Sequence, residues 1–202
     1  MNHKRYSGQT TAEQEAVLVE IILSTPILMD TLDKLRSLNL CDSWIVSGAL
    51  YNQVWNRLTG KADMYGVKDI DIFYWDDDTS YEAEDKIIQL GNKLFTDKPP
   101  VEIRNQARVP LWYKDHFGHD YPQVSSCRES ISLFACETHC VAARFLESDD
   151  IEIFAPYGFE AVFSMTLVPN TRQPNKETHE KKGERQMALW PELRIIPWPE
   201  TS

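Results

Sequence analysis

Apolar residues recur at helical spacing along the first forty positions. Val17, Leu18, Ile21 and Ile22 share one face of a 3.6-residue period, as do Leu28, Leu32, Leu35 and Leu38. Thr11-Ala12-Glu13-Gln14 has the form of a capping box that opens the first helix, and Thr25-Pro26 restarts a second with proline in its first turn. The period then changes. Trp44-Ile45-Val46 reads as a short buried strand ending at Ser47-Gly48, followed by a helix through Leu50, Val54 and Leu58 that stops at Gly60. Asp69 to Trp75 alternates as a strand, Thr79 and Ser80 cap a helix carrying Ala83, Ile87, Leu90 and Leu94, and Val101 to Arg104 is a third strand after Pro99-Pro100. Ser126-x-x-Glu129 caps another helix, His139 to Leu146 and Ile151 to Phe154 read as strands, and Tyr157 to Met165 as a short helix. Pro169-Asn170 opens a polar tail that ends in a helix from about Glu177 to Leu189. The pattern predicts an α/β (α+β) fold, a mixed sheet flanked by helices with the strands near Val46, Ile72 and Ile103 in one sheet. Residues 1–170, N-terminal helices included, form the expected domain. Residues 171–202 form a small C-terminal extension packed on it.

With 202 residues, 42% of them hydrophobic, the chain is large enough to bury a real core. Its formal net charge of -10 repels a nucleic-acid backbone unless basic residues cluster. The densest cluster, Lys181-Lys182 with Arg185, shares its segment with Glu177, Glu180 and Glu184. A long nucleic acid is therefore not the expected partner, whereas a metal-bound nucleotide is compatible with acidic ligands. Met1-Asn2-His3-Lys4-Arg5 is not followed by a signal-type apolar run, and Val17 to Leu23 is interrupted by Glu20, so no membrane partner and a cytoplasmic location are expected. Cys41, Cys127, Cys136 and Cys140 are then free thiols. Cys136, His139 and Cys140 are residue types that zinc sites use, but without a paired second half they read as buried thiols. His116 and His119 read as part of a solvated loop.

The chemistry concentrates in Lys68-Asp69-Ile70-Asp71-Ile72-Phe73-Tyr74. Alternation puts Asp69 and Asp71 on one face of the strand and Ile70, Ile72 and Tyr74 on the other. Two carboxylates on one face repel unless they are solvated or offset by a cation, and hard oxygen donors suit Mg2+ or Mn2+. A solvated strand end running into Asp76-Asp77-Asp78 is the plainer alternative. Val101-Glu102-Ile103-Arg104 repeats the design: if it lies beside the first strand, Glu102 completes a three-carboxylate set; otherwise Glu102 pairs with Arg104 or solvent on an edge strand. In Val46-Ser47-Gly48-Ala49 a buried strand ends in a glycine and a helix begins, which offers backbone amides to a phosphate.

Together these stretches resemble the DNA polymerase beta-type nucleotidyltransferase superfamily, and more closely a small bacterial nucleotidyltransferase-like family. The resemblance rests on Gly48-Ala49-Leu50-Tyr51-Asn52-x-x-Trp55-Asn56, Asp69-Ile70-Asp71-Ile72-Phe73-Tyr74, Val101 to Val109, Pro169-Asn170 and Trp190-Pro191, and spans roughly Leu40 to Trp190. It implies catalytic and metal-binding roles for Asp69, Asp71 and Glu102, and nucleotide-binding roles for Ser47, Gly48, Ala49, Asn52, Arg104 and Asn105. It also implies a nucleoside triphosphate substrate, Mg2+ or Mn2+, and a small-molecule, protein or RNA acceptor. The expected activity is metal-dependent transfer of a nucleoside monophosphate to a hydroxyl; the alternative is a catalytically silent nucleotide- or metal-binding module of the same fold. Two features depart from the superfamily pattern. Gly48 is followed by Ala49, with Ser47 in front, rather than by glycine or serine, and the run from Gly48 to Asp69 is longer than usual.

Overall fold

The computed structural model describes residues 2–200. Five strands form one sheet in the order β3-β2-β1-β4-β5: β1 Trp44–Val46, β2 Ile70–Tyr74, β3 Val101–Asn105, β4 Ala142–Phe145 and β5 Ile151–Phe154. Only β2 and β3 run parallel; the other neighbours are antiparallel. A parallel pair needs a crossover, supplied by α4 (Tyr81–Leu94), which Ser80 caps through the Ala83 amide. Gly91 lets α4 close on β3, since a Cβ there would sit 2.4 Å from Ile103 Cδ1.

The sheet's two faces differ. Ile45, Ile70, Ile72, Tyr74 and Ile103 turn toward α1 (Thr11–Leu23), α2 (Pro26–Ser37) and α3 (Gly48–Thr59), and join Leu18, Ile22, Leu28, Leu32, Leu50, Val54 and Trp55 in one continuous core. On the opposite face Trp44, Val46 and Ala142 are covered by Cys127 and Ile131 of α6 (Cys127–Ile131), with Phe73 and Phe134 at the border. A further layer comprises α5 (Val109–Phe117), α7 (Glu160–Phe163), α8 (Lys176–Leu189) and a two-stranded parallel sheet of β6 (Thr166–Leu167) and β7 (Arg194–Ile195). Among the described residues no helix is long and apolar enough to cross a membrane.

Four local expectations shift. The first cap is Thr10, not Thr11: its Oγ1 accepts from the Glu13 amide at 3.3 Å while Glu13 accepts from the Thr10 amide at 2.8 Å. The strand expected over His139 to Leu146 is shorter, because Thr138 Oγ1 donates to the Thr166 carbonyl and accepts from the Val168 amide, bending Glu137–His139 into a 3-10 turn before β4. The short helix expected over Tyr157 to Met165 contracts to Glu160–Phe163. The supposed loop around His116 is largely helix: α5 has proline in its first turn and stops at Gly118, whose φ of 78° suits glycine. His116 is therefore in the last turn of α5, and His119 follows it.

The C-terminal extension packs through α8. His179 is fully buried, with Nε2 donating to the Ile196 carbonyl at 2.9 Å and Nδ1 facing Cys136 Sγ at 3.2 Å. Burial holds the Cys136 thiol up to about 12, so it is the proton donor to that imidazole. Gln186 donates to Tyr51 Oη at 2.6 Å and accepts from His139 Nε2 at 3.2 Å, and Trp190 Nε1 donates to Asn56 Oδ1 at 3.2 Å. Gly183 admits the helix to the small sheet, since a Cβ there would meet Ile195 Cδ1 at 2.8 Å. All four cysteines are free thiols, three of them buried.

Candidate active site

Strand register assembles the site. β1, β2 and β3 set Val46, Asp71 and Glu102 side by side across the sheet. Paired residues in neighbouring strands project to the same face, so Asp71 and Glu102 share the face opposite Ile72 and Ile103. Asp69, two residues before Asp71, has the same parity. Because β1 is antiparallel to β2, the Ser47-Gly48 turn leaves the sheet at the end where Asp69 enters it.

Asp71 is the half-buried centre of this group. Its carboxyl is pushed up to about 6, first by burial and then by Asp69, with Glu102 adding to the effect and the cations of Lys182 and Arg104 opposing it. Glu102 is half-exposed and ion-paired with Arg104 at 3.3 Å. The three carboxylates are hard oxygen donors of the kind magnesium and manganese prefer. Among the described residues, however, no three His, Cys, Asp or Glu side chains are gathered closely enough to hold a metal ion. In donor chemistry Asp69, Asp71 and Glu102 suit a divalent cation, but as they stand they are not gathered around one point, and Glu102 is paired with Arg104.

The turn before α3 is unusual. Ser47 has φ 58° and ψ -117°, a conformation favoured by glycine, and its amide donates to the Val141 carbonyl at 2.7 Å. Its side chain makes no cap, and its carbonyl accepts from the Leu50 and Tyr51 amides at 2.9 and 3.2 Å, which leaves the Gly48 and Ala49 amides as the ones outside the helical ladder. Space beside Gly48 is ordinary: a Cβ would lie 3.7 Å from Asn52 Nδ2 and 3.8 Å from Tyr51 Oη. Asn52 is buried with Oδ1 unpartnered, and Ala49 is wholly buried, so of the turn residues only Gly48 is partly open.

Asn105, expected among the nucleotide-binding residues, is on the other face of β3. It lies one residue past Arg104 on β3, so it faces away from Glu102; its side chain donates to the Asp76 carbonyl at 2.8 Å and accepts from the Asp76 and Ala107 amides, both at 3.1 Å. It clamps the acidic loop after β2. Arg108, beside it, pairs with Glu84 at 3.1 Å in a mostly buried setting. His139 and His179 are consumed in anchoring α8.

Lys182, expected only as part of the cluster of Lys181, Lys182 and Arg185, lies near the carboxylates. On α8, His179, Gly183 and Gln186 point inward at three- and four-residue spacing, and Lys182 lies on the flank of that face, close enough to act on Asp71. Glu177 and Glu180 are occupied by Lys181 at 2.5 Å and Lys176 at 3.9 Å. The apparent neutrality of the segment therefore resolves into separate faces, and helical periodicity was the signal that could have shown it.

A strand-to-helix turn at Gly48, beside a sheet face carrying Asp69, Asp71 and Glu102, is the arrangement expected of a nucleotidyltransferase. The chain belongs to that family: a family model described as Nucleotidyltransferase matches residues 33–195. It is also similar, with a TM-score of 0.72 and 26% identity over 90% of this chain and 95% of the other, to a protein whose NMR structure is described as revealing a CCA-adding enzyme head domain. No curated protein sequence matches the chain at comparable significance.

Proposed function

We propose that the protein transfers a nucleoside monophosphate from a nucleoside triphosphate to a hydroxyl acceptor, with a divalent cation held at Asp69 and Asp71. The observation that carries this reading is Asp71 itself: a half-buried carboxyl, crowded by Asp69 and Glu102, between the open turn at Gly48 and the cations Lys182 and Arg104. Mg2+ or Mn2+, when bound, would supply Lewis-acid stabilisation of the phosphate oxygens. The turn at Gly48, with the Gly48 amide, receives the terminal phosphates, and Lys182 adds charge beside the α-phosphate. The acceptor oxygen forms a bond to the α-phosphorus as the bond to the β-phosphate oxygen breaks; pyrophosphate leaves with that electron pair and the hydroxyl proton passes to solvent. Glu102, on the edge strand β3, is assigned to the acceptor hydroxyl in this reading.

A second reading, nucleotide binding without turnover, draws on the Glu102–Arg104 pair, which holds the third carboxylate away from a cation. Incubating the purified protein with α-labelled nucleoside triphosphates, magnesium or manganese and a cell extract separates the two. Label carried into an acceptor together with released pyrophosphate supports transfer. Saturable binding with no pyrophosphate supports the silent module.

A further inference from the structure

Next to the carboxylates is an aromatic-walled cleft. It has a volume of about 290 Å³ and runs between the end of β2, α5 and α8. Phe73 lines it and is two residues beyond Asp71 on the same strand face, roughly 7 Å along the strand. The cleft thus begins one side-chain repeat from the centre of the site.

Its walls are aromatic. Phe73 and Phe134 meet edge to face at 5.6 Å, and Trp112 and Tyr113 of α5 form the opposite side. Arg104 and Lys182 both line the cleft and both act on Asp71, so they stand where cleft and carboxylates join. Deeper in, Ser130 is only 2% exposed and its Oγ has no hydrogen-bond partner, with the Tyr121 hydroxyl close by. Gln106, equally buried, has its amide nitrogen in only a long 3.4 Å contact with the Arg104 carbonyl. A buried hydroxyl without a partner costs stability unless something completes it.

We propose that this cleft receives the base and ribose of the donor nucleoside triphosphate: a flat heteroaromatic ring among Phe73, Phe134 and Trp112, its polar edge completed by Ser130 and Gln106, its α-phosphate between Lys182 and Asp71. The inference rests on the nucleotidyl-transfer reading. Aromatic faces stack on any base and polar atoms at the end of the slot meet its edge. The volume, at the small end of ligand pockets, admits one nucleoside and no macromolecular segment. The two cations at the mouth suit a phosphate and would leave an uncharged acceptor without a counterpart.

The test uses two probes with magnesium: 2-aminopurine riboside triphosphate, whose fluorescence is quenched by stacking, and inorganic triphosphate, which has no base. Wild type is expected to bind both and to quench the first. Trp112→Ala removes a side chain that is 44% exposed and so leaves the fold intact, while Phe134→Ala opens the inner wall. Both, once shown by circular dichroism to be folded, are expected to weaken the nucleotide probe about ten-fold or more and to leave inorganic triphosphate unchanged. Should Phe134→Ala not fold, Trp112→Ala and Ser130→Ala decide the matter. Nucleotide binding that is unchanged in the folded variants, or lost equally with inorganic triphosphate, overturns the cleft assignment and leaves nucleotidyl transfer standing. Wild type that binds neither probe overturns both. Quenched, cleft-dependent binding by a protein that never releases pyrophosphate supports the cleft and removes turnover alone.

Discussion

The two faces of β2 differ sharply, although the same five residues build them. Ile70, Ile72 and Tyr74 are almost wholly buried among the helices of the main core. Asp71 and Phe73, between them, are half-buried beneath α8 and beside α5. One face gains free energy from every apolar contact; the other keeps a carboxyl in a place that disfavours its ionised form. The comparison teaches that a single strand can carry stability on one parity and a stability cost on the other, and that substitutions only one residue apart should move the protein in opposite directions.

The largest stability effect is expected on the core side. Ile72→Ala leaves a cavity at a position with no solvent access and should cost about 2–5 kcal/mol, lowering Tm by roughly ten degrees while the folded fraction retains its chemistry. Denaturant or thermal unfolding reads this directly, and a loss below about 1 kcal/mol would show that the core can collapse around the gap.

Next in size, and opposite in sign, is Asp71→Asn without added metal. The folded-state carboxyl titrates at about 6 against an ordinary 3.8. The folded protein therefore binds its proton more tightly than the unfolded chain does. Stability from this group is present in full below the unfolded value and is lost as pH rises through about 6, a difference on the order of 3 kcal/mol at neutral pH. The asparagine variant lacks that loss, so it should melt higher than wild type at pH 7–8, with the gap closing as the buffer is taken toward pH 4. A gap that is constant across this range would remove the carboxylate crowding from the account.

A smaller shift is expected from the cation. Magnesium or manganese at about ten times its Kd should add roughly 1.4 kcal/mol to wild type, and less to an Asp69→Asn/Asp71→Asn double variant. Equal gains in both would place the ion elsewhere. Smallest of all, Ser47→Gly releases a residue with φ 58° and should change stability by about 1 kcal/mol or less in the favourable direction. A fall in Tm would mean that the Ser47 hydroxyl, which reaches Tyr51, is worth more than the strain.

How much of this could be read from the chain follows the range of each interaction. Parity within a strand is local, so the separation of Asp69 and Asp71 from Ile70 and Ile72, and of Glu102 from Ile103, was legible; the same rule applied one residue further would have turned Asn105 away from the site. Caps were legible to within a residue, Thr10 in place of Thr11 being an example. Helix α5 was missed although Pro110 and Gly118 bracket it, because its exposed Leu111, Trp112 and Phe117 blur the amphipathic pattern. Lys182 and the cleft depend on where α8 docks. That docking is set by His179 on Cys136, Gln186 on Tyr51 and Trp190 on Asn56, contacts separated by 43 to 135 residues that no periodicity encodes.

The central claim is that this face transfers a nucleotidyl group through Asp71, and the fate of two labels tests it most directly. Wild type is given the same nucleoside triphosphate labelled at either the α- or the γ-phosphorus, with magnesium or manganese and an extract containing the acceptor, and Asp71→Asn is run beside it. The account expects α-label in a new product, γ-label only in pyrophosphate, and both signals reduced by orders of magnitude in the folded variant. γ-Label in the product, or an Asp71→Asn protein as active as wild type, would contradict it.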